Sequence, residues 1–391
     1  MKLEKANSAS RWHDRLRRLA SLKITVTLLV FSFLLVFFGT LAQVELGISI
    51  ATIQFFRSWF VYWQPESLPF WRFPVILPGA WLVGTLLLLN LTAAFIVRFR
   101  WKWSKAGLLM AHLGIIILLV GELLTGVFQV ETYLQLDEGE TRSFTVSRDE
   151  PEIVIRRIGE NGIATVYAFD DQLLEEGQTL THPELPLDLH LREVVPNAGV
   201  SMQPEAEGWQ PAEVTLGFGT QLFFQPRPRE TELNRYDQPL AIASISSGGE
   251  ELGTLLLSTL LNSTQQVTVD GTPYEFALRP RRYQHNFAFT LIDFRHDRYP
   301  GTNKPKNFSS RLRLVNEASR EDREVLIKMN EPLRYAGLSF YQHSFDNADT
   351  TTILQVVRNP ARWLPYIACG LVFAGLLFQF ALRLNRHERR S

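Results

Sequence analysis

KAGLLMAHLGIIILLVGELLTGVFQVETY, residues Lys105 to Tyr133, decides how the rest of this chain is read. Between Lys105 and Glu131 the only charged residue is Glu122. At about 1.5 Å rise per residue, residues 106–130 suffice to cross a hydrocarbon core of about 30 Å. Within this stretch sits a histidine, His112. A polar side chain in lipid is costly, so His112 is expected to face protein, ligand or water.

Working outward, residues 1–23 are polar and basic, with Arg11, Arg15, Arg17, Arg18 and Lys23. An uncharged run, residues 24–44, follows; it is long for a signal-peptide core and reads as a retained first span with a cytoplasmic amino terminus. Residues 45–72 are aromatic, with Trp59, Tyr62, Trp63 and Trp71, and read as an interfacial helix and turn on the outer face. A second span covers 73–97, begun through Pro74 and Pro78. Arg98, Arg100, Lys102 and Lys105 make 98–105 a cytoplasmic basic loop, and 106–130 is the third span. The polar segment 131–359 follows, then a fourth span, 363–382, and a basic cytoplasmic tail, 383–391. The expected fold is a membrane protein of four transmembrane α-helices, with a large all-β extracytoplasmic domain inserted between helices 3 and 4.

The β expectation for 131–359 rests on alternation at period two. It appears in 164–169, 213–218, 287–292, 310–315 and 351–356, between turns of Gly, Pro, Asn and Asp. Residues 197–210 and 299–307 read as loops.

Formal net charge is zero over 391 residues, with 20% charged. That balance argues against nucleic acid as a partner. Cys369 is the sole cysteine, so neither an intrachain disulfide nor a CxxCH haem attachment is available; its simplest reading is a small buried apolar residue. There is no GxSxG, HExxH or P-loop. His182 and His190 lack metal-ligand spacing, and His343 reads as a satisfied polar residue in a strand. His285 and His296 lie near Arg279, Arg281 and Arg282, a cluster suited to propionates or phosphates, or simply to solvent. A neutral imidazole at His112 has the chemistry of an axial haem ligand. The other reading is a packing histidine, and the residues alone leave both open. Gly107, Ala111 and Gly114 permit close approach of a helix or a macrocycle. Glu122 is expected to snorkel or to pair with Arg57 or Arg72.

Four motifs carry a resemblance. The first span opens on LASLK, residues 19–23, and closes on GT and Gln43. The third contains HLG, 112–114, and leads to EGET, 138–141. The polar segment ends on NEPLRYAGLSFYQ, with Asn330, Pro332, Leu333, Arg334, Tyr335, Gly337, Phe340, Tyr341 and Gln342 in an N-x-P-L-R-Y-x-G-x-x-F-Y-Q pattern. The fourth span begins at NPA, with Asn359 and Ala361 where the pattern has Asp and Gly. Together these resemble the ResB (CcsB) family of System II cytochrome c biogenesis proteins. The resemblance implies a bacterial inner-membrane assembly factor, part of a haem-lyase complex rather than an enzyme with turnover of its own. Its implied partners are a ResC/CcsA-type membrane protein, apocytochrome c and membrane lipid; haem b is carried across the membrane, with His112 as its axial ligand. The NEPLRYAGLSFYQ residues are implied as a structural or partner-contact motif. The alternative is an envelope scaffold whose β domain makes the contacts and whose His112 merely packs.

Overall fold

A computed structural model describes residues 14–65, 73–98, 102–159, 164–204, 207–230, 236–261, 263–301, 305–346 and 350–388. Arg11, Trp71, Arg72, Arg100, Arg389 and Arg390 lie outside them. The chain divides into two compact units. Of the described residues, the first comprises those within 1–130 and 358–391, and the second those within 131–230 and 234–357.

The first unit contains α1 (Leu22–Ala51), α2 (Ala80–Arg98), α3 (Ala106–Phe128) and α4 (Leu364–Glu388). Each is long and apolar enough to cross a membrane. Asn90 of α2 is fully buried against α1. Its amide donates to the carbonyls of Leu19 (2.5 Å) and Ser21 (3.1 Å), and its oxygen accepts from Thr25 Oγ1 (2.6 Å). The LASLK stretch thus supplies the backbone acceptors that tie α1 to α2. Gly107, Ala111 and Gly114 of α3 meet α4, so closely that a Cβ on Gly107 would stand 2.3 Å from the Gly375 carbonyl oxygen. Small residues at this spacing let two helix backbones touch.

Two expectations for this unit are refined. Within residues 45–65 the first helix breaks at Gly47 (φ 72°), and the helical residues beyond it run on into a π turn, Thr52–Phe56, as a short helix and turn separate from the span. The aromatic strand Phe60–Trp63 then pairs antiparallel with Val75–Pro78. For the same reason α2 begins at Ala80 and not near Phe73: Val75–Pro78 is held in the hairpin, and Gly79 N–H donates to the Trp59 carbonyl.

The second unit is built of antiparallel strands. Among the described residues its largest sheet has ten strands; along its main path the order is 321–328, 305–316, 272–298, 141–158, 130–137, 351–358, 338–346 and 333–335. A four-stranded sheet orders 250–258, 240–247, 187–195 and 179–180. Ile153, Ile155, Phe276 and Leu278 of the first sheet bury against Leu189, Leu191, Ala243 and Leu255 of the second. A separate core gathers Leu134, Phe287, Phe289, Leu312, Phe340 and Leu354. The alternation in 164–169, 287–292, 310–315 and 351–356 does fall in strands. Residues 213–218 do not: the backbone turns at Gly217 (φ 69°), and the N–H groups of Thr215 and Leu216 both donate to the Thr254 carbonyl. The stretch 197–210, expected as loop, contains the strand Ala198–Ser201, which pairs with Phe223–Pro226. In the 299–307 stretch the strand Pro305–Asn316 already begins at Pro305.

One irregularity shapes the long strand Thr272–Arg298. Pro280 faces Pro151 in the ladder, and the next pair on is Arg282 with Val146. Neither proline donates a hydrogen bond, so regular pairing stops there. Residues 147–150 of one strand bulge out where the other spends only Arg281.

Candidate functional site

His112 projects from the flank of α3 that α4 leaves uncovered. The buried residues of α3 are Ala106, Gly107, Ala111, Gly114 and Gly121, whereas His112 is exposed. Leu108, Ile115 and Leu119 lie at neighbouring spacings, giving the ring an apolar surround. Nδ1 lies 2.8 Å from the Leu108 carbonyl oxygen. A carbonyl only accepts, so Nδ1 carries the proton and Nε2 keeps its lone pair. The ring is therefore held from one side and offers a ligating nitrogen on the other. The close-approach glycines serve helix packing: α4 fills the face they open.

About two turns along the same flank, Leu119 and Glu122 line a cavity of about 370 Å³ with Arg57, Trp81 and Thr85. Arg57 and Glu122 share this cavity, and among the described residues they form no ion pair with each other. Sequence reasoning missed this cavity because its walls come from α2, α3 and the π turn. Cys369 is exposed, contrary to its buried reading. α4 turns Ala368, Val372 and Gly375 towards α3, and one residue further round the helix points away.

The other histidines are dispersed. His285 Nε2 contacts Thr145 Oγ1 at 3.1 Å, and its ring stacks on Phe287. His343 meets the Tyr133 ring edge-on, and His296 tilts over Phe345. His182 accepts from the Glu184 N–H, and His190 Nδ1 contacts Thr179 Oγ1. Burial pushes His285 and His343 below the usual histidine range; nearby Arg148 adds to the effect on His343. Among the described residues no group of three His, Cys, Asp or Glu side chains is placed to hold a metal ion.

The NEPLRYAGLSFYQ residues form a hairpin. Leu333–Tyr335 pairs with Leu338–Asp346 across a turn at Ala336 (φ 48°) and Gly337 (φ 81°). Asn330 also has positive φ (64°), in the turn before Pro332. Phe340 is fully buried and Leu333 packs on the same core. Tyr335 donates to Glu321 Oε2 (2.8 Å) and accepts from Asn316. Gln342 donates to Thr352 Oγ1 (2.9 Å) and accepts from Ser310 Oγ (2.6 Å). Arg334 and Tyr341 are exposed.

The model of the ResB-like family matches residues 253–353, which run through this hairpin. Over these residues the chain is similar to the ResB-like family. It is similar to Protein NrfI of Wolinella succinogenes, 32% identical over 141 residues. That alignment takes in 34% of this chain, and the chain spans only 16% of that relative. The four long apolar helices among the described residues make the chain an integral membrane protein. His112 and α1–α3 lie outside the stretch that the family model matches.

Proposed function

We propose that this chain is a System II cytochrome c biogenesis subunit that carries haem across the membrane, with His112 as an axial ligand to the iron. The observation that carries this reading is the setting of His112: an outward-facing ring on an apolar span, oriented through Nδ1 by the Leu108 carbonyl, with Nε2 available. Haem is the cargo, and this chain supplies one nitrogen ligand and an apolar flank. A histidine whose other nitrogen is hydrogen-bonded is a better-oriented and more basic ligand. The ResB-like match supports placing that chemistry in c-type cytochrome assembly. A ResC/CcsA-type membrane protein is the proposed partner that completes the haem site, and apocytochrome c the acceptor. Lys102, Lys105 and Arg383 at the helix ends support cytoplasmic termini, with the strand-rich unit on the extracytoplasmic side of a bacterial inner membrane.

The test is copurification with the partner, followed by a haem spectrum. His112→Ala is expected to weaken the absorption band, and added imidazole to restore it. An unchanged band with a normal yield of c-type cytochromes would remove His112 from the site. Cells that lack the whole chain and keep their c-type cytochromes would favour the envelope-scaffold reading.

A further inference from the structure

The irregularity at Pro280 has a chemical result. Arg279 and Arg282 are three residues apart, so in a regular strand they would face opposite sides of the sheet. The break between Pro280 and Arg282 brings both to the same groove, with Arg156 from the neighbouring strand. The groove has a volume of about 680 Å³ and lies on the sheet face opposite the Ile153–Phe276 core. Two of the three arginines are compensated: Arg279 pairs with Glu152 (2.9 Å) and Arg156 with Glu275 (2.9 Å). Arg282 is not. Its guanidinium rests 4.4 Å from the centre of the Phe144 ring, and among the described residues it has no carboxylate partner. Burial, followed by repulsion from Arg279, holds its pKa below the usual arginine value, with Glu152 acting in the opposite direction. Gln284 lines the groove beside it, and the hydroxyls of Ser263 and Thr264 line it with no hydrogen bond to the protein among the described residues. Partly desolvated guanidinium groups with hydroxyl and amide donors are the chemistry that binds oxyanions.

We propose that this groove, centred on Arg282, is a binding site for a small molecule bearing anionic oxygen groups, carboxylate or phosphate. The site belongs to the strand-rich unit and does not depend on the role of His112. Its volume falls within the range of small-ligand pockets, about 300–1,000 Å³.

The experiment is calorimetric titration of the full chain in detergent at low ionic strength, with pyrophosphate in one arm and citrate in the other. Saturable binding is expected in at least one arm, and which arm responds assigns the oxyanion class. Binding should weaken with added salt. Arg282→Gln is expected to weaken it about tenfold to hundredfold, the usual consequence of losing a charged hydrogen-bond donor. Arg313→Gln, which removes an arginine paired with Asp322 elsewhere in the sheet, should leave binding unchanged. Arg282→Gln also gives up the contact with Phe144, so Gln284→Glu serves as a second variant. It keeps Arg282 in place, sets a carboxylate beside it, and is expected to abolish binding. No binding in either arm, equal loss in Arg313→Gln, or retained binding in Gln284→Glu would each overturn the proposal.

Discussion

Asn359 shows how much one side chain decides. In the resemblance it stood out as a departure, Asn where Asp is usual. In the structure its Oδ1 accepts from the Ala361 N–H (2.8 Å), capping the turn that leads into α4, with Pro360 at the first position. Its amide also donates to Thr125 Oγ1 and Gln129 Oε1, both at 3.2 Å, tying that turn to the end of α3. Asp retains the cap and loses the two donated bonds; Ala loses all three. The expected order of thermal stability is therefore Asn, then Asp, then Ala. The Ala variant should lie about 1–2 kcal/mol below the native chain, the usual size of a lost cap plus a bond. Unfolding of the three proteins in one detergent checks the order. Asn90 is the counterpart at the other helix pair: polar and fully buried, with all its partners on or just before α1.

Among the elements, the contact of α3 with α4 is the most sharply specified. A Cβ on Gly375 would stand 2.6 Å from the Gly107 carbonyl oxygen and 2.9 Å from Ala111 N, backbone atoms that cannot rotate away. Gly375→Leu is expected to part the two helices and destabilise the protein by about 1–3 kcal/mol or more. Gly370→Leu, on the same helix with nothing within 4 Å of its Cβ, should be close to neutral. Equal melting temperatures for the two variants would contradict this packing. At the strand level, helix-forming and strand-forming runs were legible wherever the pattern was periodic. α1–α4 follow from apolar length, and four of the five alternating stretches fall in strands. The failures have local causes. Residues 213–218 alternate, yet Gly217 turns the backbone and Thr254 captures the N–H groups. Val75–Pro78 was read as helix because strand and helix look alike in a short apolar run, and its hairpin partner lies some way back in the sequence.

For the whole molecule, acid should destabilise the strand-rich unit. His285 and His343 have folded pKa values below their unfolded ones, so the unfolded chain takes up protons first. Stability present above the unfolded histidine pKa, about 6.5, is lost as pH falls below it. Asp149, pushed up by burial and then by Glu131, carries the opposite sign and loses stability as pH rises. The unfolding midpoint is expected to fall between about pH 7.5 and about pH 5.5, and the double variant His285→Gln, His343→Gln to flatten that profile. A double variant with the native slope would assign the dependence to other groups.

The sequence by itself determined that four segments are apolar and long enough to span a membrane, that a strand-rich segment lies between the third and fourth, and that His112 sits within a span. These follow from local composition and period, which need no partner. Only the tertiary structure decided which face of α3 carries His112, because that depends on where α4 packs. It also placed Asn90 against α1, turned Cys369 outward, and set Arg57 and Glu122 around one cavity. The groove at Arg282 is of the same kind. The Arg279, Arg281 and Arg282 cluster was visible from the start, but which of these arginines share a face depends on two prolines meeting across a ladder. That meeting joins residues more than a hundred positions apart, and no local pattern encodes it.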